Sequence, residues 1–140
     1  MPGFRDADEL RAVFDALFGL ISDDDEIGAA LAAARTPQRF VFSDLGEVLD
    51  VAANDTPGGY LIWEWGGEPA WAPEVVMMLT SEVANAFWQG KVNPVIAQAT
   101  GKVRTTGDFK KALRLAPIVR PVFPRYRELL AATGRTHLLL

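Results

Sequence analysis

The stretch Thr80–Leu115, TSEVANAFWQGKVNPVIAQATGKVRTTGDFKKALRL, decides how this chain folds. Ser81 is a natural N-cap for a first short helix, and Gly90 a natural stop. Asn93 caps a second helix, with Pro94 at its first position, where the missing N–H costs nothing. Gly101 ends it, Lys102 to Thr106 reads as an extended β-branched segment, and Gly107-Asp108 opens a third helix. Helices this short cannot hold themselves together in water. Their apolar positions, Val83, Phe87, Val95, Ile96, Phe109 and Leu113, must therefore lie on something supplied by the rest of the chain.

Working back toward the N-terminus, the period of apolar residues is two. Phe40 and Phe42, then Leu49, Val51 and Ala53, fall on one face, with Leu45-Gly46 as the turn between them. Asn54 to Gly59 is a second turn, Tyr60–Trp65 a third strand and Glu74–Leu79 a fourth. A rigid aromatic loop, WGGEPAWAP, joins the last two. Before the strands stand two helices. Asp6 and Glu9 form a D-x-x-E capping box ahead of Leu10, Val13, Phe14, Leu17 and Ile21 at helical spacing. The run Ser22–Glu26 crowds carboxylates at a second helix N-terminus, where the macrodipole favours them. Residues 1–5 read as a tail. Beyond Leu115, Pro117, Pro121 and Pro124 must break or kink the last helix, since each removes an i→i−4 bond. A short helix with Tyr126, Leu129 and Leu130 follows, ending at Gly134. The order is α-α-β-β-β-β-α-α-β-α, an α+β layout with helices gathered on one face of the sheet.

With 140 residues, 49% apolar and 23% charged, the chain suits one soluble domain. It divides into N-terminal helices over 1–37, a core over 38–133 and a tail over 134–140. There is no Cys and one His, His137, in a tail read as frayed, so thiolate chemistry, multi-His metal sites and His-based triads are excluded. The Asp23-Asp24-Asp25-Glu26 run lacks the alternating ligands and glycine of a calcium loop. No metal and no cofactor are expected. No apolar run approaches a membrane span, and no basic region followed by an apolar core opens the chain. A cytoplasmic protein without stable membrane insertion is the expectation.

Charge is divided unevenly. Residues 1–90 hold four basic and sixteen acidic side chains, residues 91–140 ten basic and two acidic. Either the halves pack and compensate, or a basic surface faces an anion. Nucleic acid is not the expected partner, because the basic residues are not interleaved with exposed aromatics.

The 80–115 block resembles the sterol carrier protein 2 family of lipid-binding domains. The residues that carry the likeness are Gly90-Lys91, Pro94, Gly101-Lys102 and Gly107-Asp108, in matching order and spacing. It covers about residues 38 to 133 and fades outside 80–115. The resemblance implies a five-stranded, mostly antiparallel but mixed sheet covered on one face by helices. It also implies an apolar tunnel between the layers that accepts a sterol, a fatty acid or a fatty acyl-CoA. The chain ends in Leu-Leu-Leu, not in the peroxisomal address of many eukaryotic members, and its three prolines depart from the family pattern.

The residues available to line such a tunnel are Phe14, Phe87, Ile96, Phe109, Leu113, Val119 and Phe123 from helices, with Trp63, Met77 and Leu79 from strands. Ordinary core is the simpler reading for each alone. Lys91, Lys102, Arg104, Lys110 and Lys111 are candidates for a basic rim that selects an anionic head. Two further readings stay open: an interaction module whose tunnel is filled by side chains, and a small enzyme using Glu64 or Asp50. Glu64 faces away from the core if Trp63 faces toward it, and no catalytic activity is expected.

Overall fold

In the computed structural model, which describes residues 3–140, α1 (Ala7–Ser22) starts at Asp6, whose side chain accepts from the Glu9 amide at 2.8 Å. The returning half of the capping box is displaced by one residue: Glu9 Oε1 takes the amide of Arg5 instead of Asp6. The expected tail holds an anchor, because Phe4 is buried and stands edge-on to Phe14 with centroids 6.0 Å apart. Residues 1 and 2 lie outside the described residues. α2 (Ile27–Ala34) is held at its start by Asp24, whose Oδ1 accepts from the amides of Glu26 and Ile27.

Five strands follow: β1 (Gln38–Phe42), β2 (Glu47–Ala53), β3 (Leu61–Trp65), β4 (Val75–Leu79) and, after two helices, β5 (Arg104–Gly107). The sheet order is β3-β2-β1-β4-β5. β1 pairs antiparallel with β2 and parallel with β4, while β2–β3 and β4–β5 are antiparallel. The mixed, mostly antiparallel five-stranded sheet is as expected. β4 does not pair with β3, its predecessor in the chain. Residues 66–74 carry the chain past β2 and β1, about 14 Å at ordinary strand spacing. They cross on the face opposite the helices, where Arg39 Nη2 donates to the Gly67 carbonyl at 3.1 Å.

Register fixes the two faces. Phe40, Leu49, Trp65 and Met77 form one cross-strand row, and Val51, Trp63 and Val75 stand in the next, all toward the helices. The alternate residues, Arg39, Asp50 and Glu64 among them, point the other way. β5 starts two residues later than read, and Gly107 at its end has φ +86° with no room for a Cβ, which would sit 2.0 Å from the Glu74 carbonyl oxygen.

α3 (Ser81–Trp88), α4 (Pro94–Ala99), α5 (Phe109–Val119) and α6 (Val122–Ala132) complete the layer. Thr80, not Ser81, caps α3, accepting from the Val83 amide at 3.2 Å. Ser81 is instead tied to Asp44 through both its amide and its hydroxyl. Asn93 and Asp108 cap α4 and α5 as expected. The proline-driven break falls at Arg120-Pro121, whereas Pro117 and Pro124 are absorbed inside α5 and near the start of α6.

The C-terminal residues do not fray. Leu138, in a 3₁₀ turn (Thr136–Leu138), is fully buried, and its carbonyl accepts from Asn85 Nδ2 and Gln89 Nε2, each at 2.8 Å. Asn85 Oδ1 in turn accepts from the buried Tyr126 hydroxyl at 2.7 Å. Burial pushes the Tyr126 phenol well above its ordinary pKa, which keeps it a donor. His137 Nε2 stands 3.0 Å from Glu9 Oε1, so the tail also closes onto α1.

Candidate functional site

Between the sheet and α3, α4 and α5 lies an apolar cavity of about 100 Å³. Its floor is Phe40 on β1 with Met77 and Leu79 on β4. Val83, Phe87 and Trp88 of α3 form one wall, and Phe109, Leu113 and Val119 of α5 the other. Phe14 of α1 closes one end. Gln38 and Thr105 are the polar side chains that reach it. The helical pattern explains the convergence: α3 presents residues 83, 84, 87 and 88 at i, i+1, i+4, i+5, a single face.

Phe14, Met77, Leu79, Phe87, Phe109, Leu113 and Val119, singled out from sequence, are thus brought together. Three others are not. Ile96 is 60% exposed on the outer side of α4, because that helix buries Ala97 and turns its two bulkier residues outward. Trp63 faces the helices but too far along the sheet: its Nε1 donates to Asp15 Oδ1 at 3.0 Å, beside Trp65, which reaches the same oxygen at 2.8 Å. Its ring tilts against Phe18 instead. Phe123 stands behind the wall, edge-on to Phe87 with centroids 5.6 Å apart and to Trp88 at 6.4 Å. Sequence reasoning passed over Phe40, Trp88, Val103 and Ala112. Trp88 was legible as the i+4 neighbour of Ala84 on the face that carries Phe87, but Val103 lies in an irregular stretch that no period describes.

On the outer side of Phe87 an open cleft of about 650 Å³ runs between the α3–α4 link and the α5–α6 corner. Phe87, Val92, Pro94 and Ala116 line both spaces, so one thin partition separates them. Phe123 belongs to this cleft, as do Lys91 and Arg120. Gly90 has φ +77°, and a Cβ there would come within 3.0 Å of the Phe123 ring. The α3–α4 link can pass this close to α6 only with glycine at that position. At the far end, a void of about 30 Å³ lies beyond Phe40, Trp88 and Val119, toward α2 and β2. The cavity adjoins the cleft on one side and the void on another, each time across a set of shared side chains.

The five-residue basic rim does not assemble. Lys91 stands at the cleft, but Lys111 is held by Glu74 at 2.8 Å, and Arg104 points away with Met78, its partner on β4. Arg120, not among the five, joins Lys91 instead. The two halves of the chain do compensate in part, through Arg125–Asp24 at 2.7 Å, Lys111–Glu74 and the Glu9 cluster. Neither candidate catalytic carboxylate reaches the cavity. Glu64 is exposed on the opposite face of the sheet, and Asp50, though fully buried, lies on that same face against Arg39 Nε at 2.9 Å. No cluster of three or more metal-ligating side chains occurs among the described residues.

By sequence, no family description and no curated protein matches the chain. By structure, it is similar to the apo sterol carrier protein 2 of Yarrowia lipolytica, with TM-score 0.58 and 17% identity over 79% of this chain and 88% of that one. The sterol carrier protein domain 2 of Helicoverpa armigera gives TM-score 0.58 and 21% identity, over 82% and 87%. The stereoselective inverting sec-alkylsulfatase Pisa1 of a Pseudomonas species gives TM-score 0.59 and 23% identity over 75% of this chain. The chain spans only 15% of that enzyme's length, so the likeness is to one part of it. At these identities what is shared is the fold. The resemblance drawn from residues 80–115 holds at that level, and the chain has the sterol carrier protein 2 fold.

Proposed function

We propose that this domain binds an amphiphile with an apolar tail and an anionic head, without catalysing its conversion. The tail lies in the cavity under α3 and α5, and the head lies in the cleft against Lys91 and Arg120. The observation that supports this reading is an apolar cavity adjoining a cleft that holds two cations, across a partition to which Phe87, Val92, Pro94 and Ala116 contribute. Ligand sites are apolar hollows with a few placed polar groups, and their volumes run from about 300 Å³ upward. At about 100 Å³ the cavity is smaller than that, so occupation requires Phe87 and α4 to move outward. Sterol, fatty acid and fatty acyl-CoA all supply the tail; the cations favour the acid and the acyl-CoA over the neutral sterol.

The test is a titration of the intrinsic tryptophan fluorescence, to which the cavity-lining Trp88 contributes, with a long-chain fatty acid and with cholesterol, at low and at high salt. Saturable fatty-acid binding at micromolar protein, weakened several-fold by salt and by Lys91→Ala with Arg120→Ala, is the expected result. The small volume favours a second reading, a domain filled by its own aromatic side chains that serves as an interaction module. Failure of both ligands to bind the folded protein selects that one.

A further inference from the structure

α4 turns two aliphatic side chains into solvent, side by side: Val95 is 54% and Ile96 60% exposed. The helix runs only from Pro94 to Ala99 and docks through Ala97, so neither residue serves its packing. Both directly follow Pro94, which lines the cleft together with Lys91 and Arg120. The surrounding segment, residues 91–120, carries seven basic side chains and one acidic one in a chain whose net charge is −4. Among the described residues, Lys111 is the one of these seven that meets a carboxylate. Lys91, Lys102 and Arg120 are exposed and bracket α4 on either side in sequence or across the cleft.

An exposed aliphatic pair on a short helix flanked in sequence by Lys91 and Lys102, beside a cleft that holds Lys91 and Arg120, none of the three meeting a carboxylate among the described residues, has the chemistry of an interfacial anchor. The apolar groups enter the boundary between headgroups and acyl chains, while the cations remain at the level of the headgroups. We propose that α4 and the rim of the cleft form a docking surface for an anionic lipid bilayer, with Val95 and Ile96 inserted and Lys91, Lys102 and Arg120 against acidic headgroups. Charge complementarity selects this occupant, since a protein partner matching this pole would have to supply a carboxylate for each cation around only two aliphatic side chains. Docking here turns the cleft toward the bilayer, so an amphiphile passes between bilayer and cavity without crossing water. This last consequence rests on the proposed function; the docking itself does not, because it is measured with no ligand added.

The experiment is co-sedimentation with vesicles of phosphatidylcholine alone and of phosphatidylcholine with phosphatidylserine, at low and high salt. Binding is expected to the serine-containing vesicles and to weaken as salt rises. Each cation near such a surface strengthens binding about fivefold, so Lys91→Gln with Lys102→Gln lowers it about twenty-five-fold. Val95→Asp with Ile96→Asp abolishes it, while thermal melts and circular dichroism of these surface variants stay those of the parent. Equal binding to neutral and anionic vesicles, or binding undiminished by the two aspartates, overturns the proposal. A dimer in sedimentation velocity that the aspartates disperse also overturns it, in favour of a second copy as the occupant. Vesicle binding without fatty-acid binding leaves the docking surface standing and removes the amphiphile cavity.

Discussion

Phe87→Ala tests whether the aromatic partition is the gate of the cavity. Phe87 stands edge-on to Phe123 at 5.6 Å and to Trp88 at 5.4 Å, and swinging it outward breaks both contacts. Edge-to-face pairs contribute about 0.5–1.5 kcal/mol each beyond area burial. Opening therefore costs roughly 1–3 kcal/mol, with tenfold in rate for each ~1.4 kcal/mol. Truncation removes that cost, so stopped-flow association of a fluorescent fatty acid should accelerate by roughly five- to a hundredfold. The side chain is only half buried, so stability should fall by about 2 kcal/mol, below the range for fully buried Phe→Ala changes. Phe14→Ala, at the closed end of the cavity, should destabilise more and leave the association rate nearly unchanged. If association of the folded Phe87→Ala protein stays within twofold of the parent, the gate is elsewhere and the line from cleft to cavity is not the path of the ligand.

Two further perturbations concern the shell around the cavity. Asn85→Ala leaves the buried Tyr126 hydroxyl without its acceptor and the Leu138 carbonyl with Gln89 as its remaining side-chain donor; loss of about 2–3 kcal/mol in urea unfolding is expected. A loss below about 0.5 kcal/mol would show that the network is not continuous. Burial works to raise the pKa of Glu9, but the His137 hydrogen bond, the Arg5 amide and the charges of both residues outweigh it and hold the carboxyl below its usual value of 4.5. Its contribution is therefore fully present above the unfolded-state pKa and is lost as pH falls through that value and then through the lower folded one. Glu9→Gln should flatten the acid limb of stability against pH, measured by denaturant titration between pH 7 and pH 3; an unchanged limb would remove Glu9 from that role.

Wherever one face of an element is buried, the period of its apolar residues showed in the sequence. Phe42, Leu49 and Val51 were readable as core, and Ala84, Phe87 and Trp88 lie on one helical stripe. Caps at Asp6, Asn93 and Asp108 are local chemistry and were equally plain. What local pattern does not carry is pairing across the chain. Nothing in Val75–Leu79 states that it lies beside Gln38–Phe42 and not beside β3, because the crossing depends on how far nine loop residues reach. Ile96 shows the converse: a large aliphatic residue in a helix reads as core, and its exposure follows from which face of α4 meets α5. The tail was misjudged for a related reason. Leu138 and His137 look dispensable until Asn85, Gln89 and Glu9, between 49 and 128 residues away, are brought against them.

The parallel seam between β1 and β4 carries a consequence for how the chain assembles. β1, β2 and β3 are joined by the turns 43–46 and 54–60, and such local pairings form early. β4 adds to β1 only after the intervening strands and the crossing loop are in place, a closure with a larger entropic cost. Until then the free edge of Gln38–Phe42, with Phe40, Val41 and Phe42 in succession, is open to pairing with another nascent chain. Arg39 is the one charge on that edge. Its partner Asp50 stands directly opposite on β2, so pairing of β1 with β2 is enough to bring the two together without β4.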